Sequence, residues 1–250
     1  MVLNPLRCYT PEGKCAKHAR IDIEGCHMEV GLYEVLLYAH VLCFVYWLGG
    51  DLGVFYASGQ LLKTGLSKEA RTWVTKVFHW LDQFPRICMP LVIALGFSIG
   101  SMRWFYLDPA WLWITWGIAL VWVYFVLAVF LNIGGEAKIF WVKQVDLIMR
   151  WVIAITITMI GVLSWMGSGI TEDRWLAAKL LIWSGTVFCG IISRWTMKPF
   201  RVAFGNVMTR GETPEDLAIM KRSLYITRIP ILTIWFLVAL AGAVGLWKPF

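Results

Sequence analysis

The chain has 250 residues, of which 59% are apolar, 15% aromatic and only 16% charged, with a formal net charge of +7. A soluble domain spends about a quarter of its residues on charged side chains, so these proportions exclude a soluble enzyme. The basic residues sit in turns between apolar runs and share no single face, which argues against nucleic acid as a partner and leaves orientation against an anionic leaflet as the use of the charge.

The first 28 residues read as an extramembrane arm carrying Cys8, Cys15, His18, Cys26 and His27. They could bind a metal, but they contain no CxxC pair and fit no standard zinc spacing, so a disulfide between two of the three cysteines is the expectation if the arm lies outside the cytoplasm. Cys26-His27 also lacks the upstream cysteine of a covalent haem site. The first apolar run begins near Glu29, too late and too long for a cleaved signal peptide, and is expected to stay in the membrane.

From residue 29 to 250 the chain reads as one all-α transmembrane domain. A helix needs about 20 apolar residues to cross roughly 30 Å of hydrocarbon, and six runs qualify: about 30–58, 87–107, 110–131, 145–167, 175–194 and 226–247. In the first, His40, Trp47 and Asp51 fall within about 20° of one stripe at 100° per residue. An ionisable group inside a span is costly enough to begin as a functional hypothesis. Gly49 and Gly50 beside Asp51 offer room for a flat ligand or a close backbone. Arg86 stands just ahead of the second run, in which Met89, Gly96 and Gly100 share a stripe.

Asp108-Pro109 opens the third run and Gly134-Gly135 follows it. The fifth carries Lys179, with Thr186 and Gly190 on its stripe and Trp183 one turn on; it either snorkels to water or pairs with an anionic group of a bound molecule. Thr213-Pro214-Glu215-Asp216 predicts a short amphipathic helix ahead of the last run. Trp104, Trp111, Trp175 and Trp247 lie near predicted ends, where an indole prefers the headgroup layer, and Trp111 and Trp175 are expected to face lipid or headgroups. Cys43, Cys88 and Cys189 read as small buried apolar residues. Fifteen basic residues fall in the connections 59–86, 132–150 and 194–228 against seven on the other side. The positive-inside rule then places both termini outside the cytoplasm, in a bacterial inner membrane.

Four stretches resemble HemJ-type membrane proteins in order. His40-Val-Leu-Cys-Phe-Val-Tyr-Trp47-Leu-Gly49-Gly50 is similar to that family's first helix, and Met89-Pro90 to its proline-bearing second span. Leu176-Ala-Ala-Lys179-Leu-Leu with Ser193-Arg194-Trp195 resembles its lysine-bearing third span, and Arg228-Ile-Pro230 through Lys248-Pro249-Phe250 its last. The resemblance covers roughly half the chain and implies a four-span core, with residues 110–167 as an inserted helix pair. It implies a b-haem-binding enzyme that oxidises a porphyrinogen, with His40 as a haem ligand and Lys179 as the lysine needed for activity.

Residue chemistry supplies the same types: His40 for iron, Gly49 and Gly50 for flat space, Trp47 as a wall, and Lys179 or Arg86 for the propionates. Met89 has the softness of a second axial ligand, and Asp51 joins Lys179 as a candidate catalytic group. Electrons would pass to a quinone or a respiratory partner. Two other readings stay open. One is a CopD-like copper protein using His40, Cys43 and Met89, a soft set suited to Cu(I). The other is a non-catalytic subunit of a larger membrane complex or homo-oligomer.

Overall fold

The computed structural model describes residues 31–133 and 135–249, so the cysteines and histidines of the N-terminal arm lie outside it. The described residues form eight helices and no strand: α1 (Leu32–Gln60), α2 (Lys68–Leu81), α3 (Gln83–Arg103), α4 (Pro109–Phe130), α5 (Gly135–Trp165), α6 (Arg174–Thr196), α7 (Lys198–Arg210) and α8 (Pro214–Trp247). All except α2 and α7 contain a stretch long and apolar enough to cross a membrane, which gives an all-α bundle of six spans.

Local chemistry sets the boundaries. The Asp108 side chain accepts a hydrogen bond from the Ala110 amide, with Pro109 at the first helical position, so α4 starts where an orphan donor is met and a missing donor costs nothing. Thr213 caps α8 in the same way, accepting from the Asp216 amide at 3.1 Å while its hydroxyl donates to the Asp216 carboxylate at 2.7 Å.

Three boundaries differ from expectation. The short helix expected at Thr213 is the first two turns of a continuous 34-residue α8, held by Asn206 and Arg210 of α7 on Asp216. Helix α5 starts ten residues before the predicted run, carrying Lys138 and Lys143 beyond it. The connections read as loops contain α2 and α7, each amphipathic: Leu61, Val74, Phe200, Ala203, Phe204 and Val207 share an apolar cluster with Met220 and Leu224 of α8.

The spans pack in a closed ring, α1 on α3, α3 on α4, α4 on α5, α5 on α6, α6 on α8, and α8 back on α1. Trp183 of α6 crosses the middle, donating its indole N–H to the Met89 carbonyl of α3 at 3.3 Å. At the end that carries α2 and α7, Arg71 is buried and donates to the Leu61 carbonyl at 2.6 Å and the Lys63 carbonyl at 3.0 Å. It also pairs with Glu212, which accepts from the Gly65 amide at 3.2 Å, so one guanidinium ties the α1–α2 turn to the α7–α8 turn.

The Arg71 hydrogen bond holds the Glu212 carboxyl below the usual glutamate range. Its folded pKa is depressed, so its contribution to stability is present above the unfolded value of about 4.3 and disappears as pH falls through the folded value. Glu212→Gln should therefore lower the melting temperature at neutral pH and flatten the acid limb of the stability curve. An acid limb identical to wild type would show that the pair contributes nothing.

Candidate functional site

At the opposite end of the ring, where α1 begins and α8 ends, α1, α3, α6 and α8 enclose a cavity of about 790 Å³. That volume lies within the range of roughly 300–1,000 Å³ typical of small-molecule and cofactor sites. These are the four helices aligned by the HemJ resemblance. The intervening α4 and α5 pack between α3 and α6, and the connections beside them reach the cavity with Trp104 and Phe105 before α4 and Ile170 and Thr171 after α5.

His40 lines the cavity from α1. Its Nδ1 is buried and has no hydrogen-bond partner among the described residues. The imidazole lies over Gly96 of α3, where an added Cβ would meet its Cε1 at 3.5 Å. A larger residue at 96 would push the ring back toward α1. Trp47, 3% exposed, lines the cavity two turns along the helix from His40 on the same stripe, and Trp183 lines it from α6. Gly242 of α8 leaves space in which Phe44 is the nearest neighbour.

Lys179 does not snorkel away from the bundle. It turns inward to line the cavity, and its ammonium lies where a Cβ at Gly245 would come within 2.7 Å, so a glycine on α8 makes the room it occupies. One turn before it on the same face is Trp175, 6% exposed, packed edge-on against Trp104 with ring centroids 5.2 Å apart. The expectation that Trp175 faces lipid or headgroups is therefore corrected. Being four residues before Lys179, it must follow Lys179 into the ring. Trp111, by contrast, is 62% exposed on α4.

Other residues proposed from the sequence are not brought to this cavity. Gly49 is nine residues from His40, half a turn around α1, and has nothing near it; Gly50 packs on Phe84 and Pro85 of α3. The cavity is lined instead by Gly96, Gly242 and Gly245, whose missing side chains make room for His40, Phe44 and Lys179. Met89 is seven residues from Gly96, about 10 Å lower along α3, and its sulfur accepts from Arg150 at 3.7 Å. Arg86 pairs with Asp82 at 2.5 Å near the α2 end. Asp51 belongs to that end too, one turn beyond Trp47 on α1. The copper set is also dispersed, since the Cys43 thiol meets Cys88 and not His40. Among the described residues no three His, Cys, Asp or Glu side chains gather as a metal site.

Two features escaped the sequence reading. Lys248 follows the last turn of α8 and sits over both rings of the Trp pair, 4.8 Å from Trp104 and 5.2 Å from Trp175. On the other side of the bundle Asp146 of α5 is buried between Arg150 at 3.1 Å and Arg194 at 2.6 Å, with the Arg150 guanidinium also over Trp122 at 5.0 Å. The i,i+4 spacing of Asp146 and Arg150 at the start of an apolar run was the available signal. Compared with known proteins, the chain matches no family model, no curated protein and no solved structure.

Proposed function

We propose that this chain is an integral membrane redox protein that holds b-haem, oxidises a porphyrinogen and passes the electrons to a quinone or a respiratory partner. One observation carries the haem reading: a buried imidazole nitrogen with no partner among the described residues, on a side chain that lines a large apolar cavity. A buried polar atom left unsatisfied calls for an explanation, and a ligand is a sufficient one. The residues present fit the group. His40 would take the iron, Gly96 and Gly242 line the cavity, Trp47 and Trp183 wall it, and Lys179 would meet a propionate. The iron supplies one-electron chemistry. The chain's own part is to hold the macrocycle, fix the imidazole that meets it, exclude water with aromatic walls and keep a cation at the carboxylate edge. The porphyrinogen reaction is supported by the HemJ resemblance. The second axial ligand is not assigned to Met89, which faces Arg150.

Lys179→Ala tests the reading. Loss of one charge-assisted hydrogen bond should weaken haem binding roughly 10- to 150-fold while leaving a Soret band at high haem concentration. Undiminished affinity would remove Lys179 from the site. The same reading sets the chain in a bacterial inner membrane with α2 and α7 inside and both termini outside, supported by the basic residues of the connections around them. An impermeant thiol reagent should then reach a cysteine placed at Arg210 from the cytoplasmic side alone.

A further inference from the structure

Lys179 and Lys248 approach one aromatic ring from two helix ends, with their ammonium groups 5.9 Å and 5.2 Å from the Trp175 centroid. Neither has a carboxylate within ion-pair distance among the described residues. Both line the same apolar cavity. Two like charges that share one aromatic ring repel each other, Lys179 half-buried against the cavity wall and Lys248 exposed at its mouth, so an anionic group joining them relieves that repulsion. The ring quadrupole of Trp175 attracts each cation but neutralises neither.

The backbone at Lys248 points the same way. It adopts φ 45° and ψ 62°, the left-handed conformation that closes α8, with its amide bonded to the Val244 carbonyl at 3.0 Å. Glycine is the usual residue there, because a Cβ is disfavoured in this region. A lysine at this position lays its ammonium over Trp104 and Trp175 while remaining exposed at the cavity mouth.

We infer that Lys179 and Lys248 form a two-cation clamp that selects a ligand with two carboxylates and orients both at the α6–α8 mouth of the cavity. This rests on the reading of the cavity as a porphyrin site and adds its specificity: a dicarboxylate macrocycle with its carboxylates toward the end where α8 closes. Lys248 is here a positioning residue.

Lys248→Gly separates this role from a structural one, because glycine suits the left-handed position. The variant should fold, with a melting temperature no lower than wild type. Iron protoporphyrin IX and its dimethyl ester are titrated into the detergent-purified full chain, wild type and variant, and followed by Soret absorbance. The clamp predicts that the variant loses roughly 10- to 150-fold in affinity for the diacid and nothing for the ester. Equal loss for both ligands, or loss for neither, overturns the clamp and leaves the haem reading in place. Failure of the wild type to bind either porphyrin overturns both.

Discussion

Replacing His40 with alanine is expected to abolish the Soret absorbance of the purified protein while leaving a folded bundle. On the proposed reading one coordinate bond to the imidazole would hold the cofactor in register, whereas the bundle is held by apolar contacts along six spans. Alanine is also the best helix former, so the interior of α1 is not weakened by the exchange. The imidazole lines the cavity, and its Nδ1 has no hydrogen-bond partner among the described residues. Far-ultraviolet circular dichroism and size-exclusion chromatography check the fold, and the spectrum checks the haem. Full retention of the Soret band in His40→Ala would remove the ligand assignment, whatever became of Lys179.

The largest expected loss of stability lies elsewhere, at Asp146. Its carboxylate is 4% exposed and serves two guanidiniums, one of which, Arg150, is 5% exposed and has a further buried nitrogen with no partner. Removing one member of a buried pair leaves a charge that water cannot reach, a loss of roughly 3–5 kcal/mol. Asp146→Asn should therefore unfold in detergent at much lower temperature or denaturant than wild type. The double variant Asp146→Leu, Arg150→Met should recover much of that loss, because Arg194 is 27% exposed and can turn to water once its partner is gone. Equal destabilisation of the single and double variants would show that the pair, not the orphaned charge, matters.

Much of this was legible from the sequence and the exceptions share a cause. Runs of apolar residues report the spans directly, because hydrocarbon thickness imposes a length. Helices α2 and α7 are too short and amphipathic to show as apolar runs, and their signal is periodicity: Phe200, Ala203, Phe204 and Val207 repeat at i, i+3, i+4 and i+7. His40, Trp47 and Lys179 could be placed together because an ionisable side chain in a span must face the bundle. Gly49 and Gly50 adjoin Asp51 in sequence, but a helix turns 100° per residue and carries Gly49 to the face opposite His40. Trp175 lies near a helix end, but its four-residue spacing from Lys179 fixes it to the inner face. Lys248 was beyond pattern altogether, because its place over Trp104 and Trp175 depends on a left-handed turn that no local residue type announces.

The optical spectrum of the wild-type chain, purified in detergent after expression with ample haem, tests the central claim most directly. The account predicts a Soret band at close to one haem per chain, shifted on reduction as a histidine-ligated b-haem is, and released as unmodified haem by acidified organic solvent because no covalent bond holds it. A folded protein with no Soret band, whether colourless or carrying copper, would contradict it.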